Sequence, residues 1–184
     1  MLVNKDTIAT LTKTIFEEIT SPENAPGKGH GAALVLELDS KITLIKTFDG
    51  SPTYNDDYTY SVFVNGVEVG GLMVGHDNIS IESVGVGVRH FVNRLIAPKV
   101  EEILSFIVTE QSYISGYKAG KLQIWHGQIG QHLIPTFQVM LDDKLLANVP
   151  GDKNVQPNSK IWNMLRPFIK QAVLDGDIEV LILE

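Results

Sequence analysis

The 184-residue sequence contains no cysteine, which excludes disulfide frameworks, thiolate zinc centres and cysteine nucleophiles. It also has no basic cluster. The formal charge is −7; residues 1–97 carry seven Lys/Arg against twelve Asp/Glu, and residues 98–184 carry eight against ten. Binding to nucleic acid or to an anionic membrane surface draws on clustered Lys and Arg, so neither is an expected partner. No apolar run approaches the roughly 18 residues that span a bilayer, and Met1 to Ile19 lacks the basic, apolar and small-residue order of a secretory signal. These absences lead to the expectation of a soluble protein, cytoplasmic or particle-associated, that is not secreted by a signal peptide.

Signatures of chemistry are equally scarce. His30 lies in the glycine-rich stretch Pro26 to Gly31 beside Lys28, but a phosphate loop needs Gly-x4-Gly-Lys-Ser/Thr between a strand and a helix. This stretch follows a helix signal and precedes a strand signal, and reads as a connector. No Gly-x-Ser-x-Gly elbow is present. Asp56-Asp57 and Asp142-Asp143 are adjacent pairs, whereas calcium loops space their acids alternately and add a glycine and a distal glutamate. His76-Asp77 reads as turn residues rather than an acid-base pair. His90 falls off the apolar stripe of its helix and reads as solvated. His126 and His132 are the metal-ligand candidates, but their spacing fits neither a helical i, i+4 pair nor an alternate-strand pair, and a third ligand would have to come from elsewhere. Trp125 and Trp162 read as face residues of a strand and a helix. No catalytic residue and no cofactor is assigned.

What is present is ordinary globular composition, 43% hydrophobic and 20% charged. Ile8, Leu11, Ile15, Phe16 and Ile19 behind Asn4 predict a capped amphipathic helix. Residues 21–31 read as a loop. Leu34 to Leu44 predicts two strands or one bent strand. Tyr58, Tyr60, Val62 and Val64 alternate up to Asn65-Gly66, and Val67, Val69 and Met73 follow, which predicts a two-residue hairpin with a bulge or close backbone approach at Gly70-Gly71. Val88 to Ile107 predicts a helix kinked or divided at Pro98. Gly116 to Gly120 reads as a break, Leu122 to Trp125 as a strand, and Phe137 to Leu146 as a second hairpin through Asp142-Asp143. Ile161 to Val173 predicts a last helix, residues 175–177 a turn and Ile178 to Leu183 an apolar strand.

The second hairpin and helix follow the first at a constant offset: Tyr60 to Gly66 lies over Phe137 to Asp143, and Val88 to Val92 over Leu165 to Ile169, both 77 positions apart. The expected fold is therefore α+β, with antiparallel sheets built from two diverged strand-hairpin-helix repeats, helices packed on the sheet and an N-terminal amphipathic helix. The expected divisions are 1–31 (helix and loop), 32–115 and 116–184 (the two halves), forming one compact domain with pseudo-twofold symmetry. With no catalytic constellation, the favoured function is a non-enzymatic homo-oligomeric assembly protein, such as a phage virion or tail component, using Ile178, Val180, Leu181 and Leu183 at an interface. The alternative is a small-ligand binder or metal-dependent enzyme using the loop histidines.

Overall fold

A computed structural model describes residues 1–21, 33–51, 56–75, 79–109, 116–119, 121–129, 134–150 and 160–178. The fold is α+β, with two antiparallel sheets and three helices. The order is α1 (Lys5–Thr20), β1 (Ala33–Glu37), β2 (Lys41–Ser51), β3 (Asp56–Val64), β4 (Val67–Val74), α2 (Ile81–Thr109), β5 (Gly116–Ala119), β6 (Leu122–Ile129), β7 (Ile134–Leu141), β8 (Lys144–Pro150) and α3 (Lys160–Asp175). Sheet 1 is the meander β1-β2-β3-β4 and sheet 2 the meander β5-β6-β7-β8. The chain divides into two compact units, one built on Met1–Leu95 and the other on Ile96–Val180, so the division falls within α2. No described helix is long and apolar enough to cross a membrane.

In the first unit, strand alternation sends Leu36, Ile42, Leu44, Tyr60, Val62, Val64, Leu72 and Val74 to one buried face. Leu11 and Ile15 of α1 and Val84, Val88, Phe91 and Val92 of α2 are buried in the same unit; each such side chain contributes roughly 1.5–3 kcal/mol on burial. Asn4 caps α1 by accepting the Thr7 N–H at 2.9 Å, and Ser80 and Ser83 cap the start of α2 reciprocally through hydroxyls and backbone N–H groups. The second unit repeats the plan: Leu122, Ile124, Phe137, Val139 and Val149 of sheet 2 are buried, as are Ile103 and Leu104 of α2 and Trp162, Leu165, Ile169 and Val173 of α3.

Both hairpins turn on residues with positive φ, Asn65 (50°) and Gly66 (84°) in one, Asp142 (49°) and Asp143 (61°) in the other. Primed two-residue turns need this, because their twist matches that of the strands. Each hairpin carries its bulge at the same place. Val62 faces Gly70 while Phe63 faces Glu68, and Val139 faces Ala147 while Met140 faces Leu145. The Asn65 N–H donates to the Lys41 carbonyl at 2.8 Å, and the Asp142 N–H donates to that of Lys121 at 3.2 Å.

Four expectations change. The buried stripe of α1 is Thr7, Leu11, Thr12, Ile15 and Glu18, with Ile8, Phe16 and Ile19 half-buried, because a carboxylate is drawn inward as described below. Residues 81–109 form one helix with Pro98 inside it, the undivided form of the two expected, but it starts seven residues before Val88. Gly116–Ala119 is an edge strand, since pairing to β6 supplies the order that its glycine and lack of apolar alternation do not signal. His126 to Gln128 continue β6 instead of forming a loop, held by pairing to Phe137, Thr136 and Pro135.

At Gly87 helix and strand approach so closely that an added Cβ would overlap the Met73 carbonyl oxygen. Gly87→Ala should gain about 1 kcal/mol of helix propensity but lose roughly 1–3 kcal/mol to overpacking. A net loss of stability in urea unfolding is expected; a stabilised variant would refute the close approach.

Candidate functional site

Alternation along β2 places Lys46 on the same inward face as Ile42 and Leu44, directly opposite Tyr60 of β3. An ammonium there has to be paired, because burying an isolated charge costs several kcal/mol. Glu18, near the end of α1, supplies the partner: its carboxylate pairs with Lys46 Nζ, and Tyr60 donates its hydroxyl to Glu18 Oε2 at 2.5 Å. Side-chain exposures of 1% for Lys46 and 4% for Glu18 exclude solvent from the pair. Nζ lies over the Tyr58 ring, 5.8 Å from its centroid. Burial, reinforced by the Glu18 carboxylate, pushes the Tyr60 phenol far above its ordinary value, so it remains a proton donor. The cluster locks α1 to sheet 1.

A second polar cluster sits in the second unit. Arg166 of α3 donates through Nε to Glu101 Oε1 at 2.6 Å and through Nη2 to Oε2 at 3.2 Å, and Trp162 Nε1 donates to Oε2 at 2.6 Å. The Arg166 hydrogen bond holds the Glu101 carboxyl below the usual range; burial opposes this, and the Trp162 N–H adds to it. The cluster ties α2 to α3 at a partly exposed position.

A groove of about 530 Å³ opens in the first unit, lined by Met73, Gly75, Ser83, Val86, Gly87, His90 and Arg94. Ser83, Gly87, His90 and Arg94 follow helical spacing and form one face of α2. Gly87 brings that face against β4, and Arg94 Nη2 donates to the Gly71 carbonyl at 2.5 Å. Met73 and Val86 give the groove exposed apolar walls. Sequence reasoning missed the groove, although the stripe of small and basic residues off the apolar face of α2 marks it. It also missed Lys46, whose place in the Ile42–Leu44–Lys46 alternation marks it as inward-facing.

Of the sequence-predicted residues, His90 is exposed and lines the groove. His126 lies on β6, paired in the backbone to Phe137. His30, His76, Asp77 and His132 lie outside the described residues. Asp143 accepts from Gln123 at 2.8 Å, and Asp142 faces Lys121 at 3.9 Å. Trp125 donates to Gln123 and Trp162 to Glu101. No group of three metal-ligating side chains occurs among the described residues. Ile178 is buried, and its N–H donates to the Ala172 carbonyl beyond α3; Val180, Leu181 and Leu183 lie outside the described residues.

Two predictions follow from the polar clusters. Lys46→Met alone leaves Glu18 buried and uncompensated and should cost about 3–5 kcal/mol in denaturant unfolding, whereas Lys46→Met with Glu18→Leu and Tyr60→Phe should recover most of that loss. A harmless single variant would show that the pair is not buried. Because Glu101 has a folded pKa below its unfolded one, its contribution is fully present above the ordinary carboxylate value of about 4.3. The contribution fades as pH falls through the folded value. At this exposure it amounts to about 1 kcal/mol or less, so the gap in melting temperature between the unaltered chain and Glu101→Gln should be visible at pH 7 and absent near pH 2.

No protein-family model matches the sequence, and no curated protein or solved structure matches it.

Proposed function

We propose that this chain is a non-catalytic subunit of a homo-oligomeric assembly, such as a phage virion or tail component. The observation that carries this reading is the outer face of each sheet. In sheet 1 the register aligns Val35, Thr43 and Phe63 in one cross-strand row and Ala33, Ile45 and Ser61 in the next, opposite the buried face. In sheet 2 it aligns Trp125 with Gln138, and Gln123 with Met140 and Leu145. Val35 is 51% exposed, Trp125 39% and Leu145 52%. Apolar residues gathered in rows on a sheet face, rather than scattered singly, are the usual mark of an association surface. The edge strand β1 (Ala33–Glu37) contains neither the Lys nor the Pro that commonly protects an edge from pairing with another chain. The terminal apolar residues Val180, Leu181 and Leu183 belong to the same proposal as a second contact.

The two units are, in this reading, diverged copies of one ancestral meander-plus-helix. Support comes from the shared strand order and from positive-φ turns and bulges recurring 77 positions apart. Duplication would give the subunit two related association faces, a natural basis for rings or sheaths.

Light scattering across micromolar concentrations should give a discrete oligomeric mass. Val35→Lys with Trp125→Lys should lower that mass while leaving the circular dichroism spectrum unchanged. A monomer at every concentration would sink the assembly reading.

A further inference from the structure

We propose that the groove between α2 and β4 is a binding site for a small apolar monocarboxylate, with the carboxylate held by Arg94 and His90 and the aliphatic body lying along Val86 and Met73. The proposal stands independently of the assembly reading, because it concerns a concave site rather than a sheet face.

The groove has a volume of about 530 Å³, within the range of roughly 300–1,000 Å³ that small-ligand sites occupy. Its lining combines exposed apolar walls with a few convergent polar groups, the usual composition of such sites. Its two ends differ. The Arg94 side chain meets Gly71 and Gly87 meets Met73, so α2 and β4 run in opposite directions along the groove, with Ser83 and Gly75 at the far end. There the Asp57 carboxylate stands beside Gly75. The cationic group is thus Arg94, with the His90 ring one helical turn away as a hydrogen-bonding partner, and an anion is favoured at that end rather than beside Asp57.

Arg94 is available for this role. Its one described hydrogen bond goes to a neutral backbone carbonyl, and no carboxylate pairs with it among the described residues. Glu82, in the first turn of the same helix, is engaged by its own backbone N–H and the Ser80 hydroxyl. A planar guanidinium with donors to spare is suited to a carboxylate. From Arg94 back to Val86 is two turns of helix, about 12 Å, which suits a medium-length aliphatic chain.

The groove belongs to the first unit alone in its chemistry. The positions 77 further on from Ser83, Gly87, His90 and Arg94 are Lys160, Met164, Pro167 and Gln171. The second unit therefore has a bulky side chain where the first has the glycine of close approach, and it lacks both the imidazole and the guanidinium.

The test is a titration of the full-length protein with octanoate, followed by calorimetry and by the NMR shifts of the His90 ring, with octanol and octylammonium as controls of equal length. Octanoate should saturate and shift His90, and both controls should bind at least tenfold more weakly. Arg94→Gln should weaken octanoate about tenfold or more. Because Arg94 also holds Gly71, the deciding variant is Val86→Glu, at an exposed position, which should abolish binding while leaving the melting temperature unchanged. No saturation at millimolar octanoate, equal affinity for octanol, or unchanged binding in a folded Val86→Glu protein would overturn the proposal.

Discussion

A lysine on the inward face of a central strand is the constraint around which the first unit is organised. Lys46 sits in a row otherwise occupied by Ile42 and Leu44, and its ammonium is tolerable there only with a counter-charge. Glu18 meets that need from α1, and Tyr60 fills a further acceptor site on the same carboxylate. The consequence reaches the whole helix. α1 turns so that Glu18 points inward with Leu11 and Ile15, while Ile8, Phe16 and Ile19 lie only half-buried. A hydrophobic cluster of the same volume would hold the helix with similar strength but would leave its rotation less defined, since apolar contact is non-directional.

One-sided burial shapes the rest. Each four-stranded meander has one face closed within its own unit and one that is not, and no described strand of one sheet pairs with the other. The buried faces follow from alternation alone. The outer faces keep Val35, Ile45 and Phe63 in one sheet and Trp125, Met140 and Leu145 in the other, and it is on these rows that the proposed association rests. The two units share their turns and bulges yet differ where a helix meets an edge strand. Gly87 permits an approach to β4 that leaves a groove beside it, and a side chain at that position would change the spacing.

Much of the local structure was readable in the residues. Asn65-Gly66 announces a primed turn because both positions tolerate positive φ, and Asp142-Asp143 does so less plainly, since aspartate pays some strain there. The second hairpin stands where the alternation up to Asp142-Asp143 placed it, and its bulge was added by the structure. Other features were not readable. β5 has no apolar alternation of its own and is ordered by its neighbour. Residues 126–129 look like a loop because glycine and glutamine dominate them, yet pairing with β7 extends the strand through them.

By itself, the sequence determined the α+β class, the two hairpins, the inward and outward faces of their strands and the helices that follow them, because each depends on periodicity and turn chemistry within a few residues. The lack of cysteine likewise closed disulfide and thiolate chemistry to these residues. Only the tertiary structure decided the pairing of Lys46 with Glu18, the bond from Glu101 to Arg166 and the meeting of Met73, Val86, His90 and Arg94 around one groove. These join residues distant in sequence, and their partners are chosen by the packing of whole elements, which no local pattern encodes.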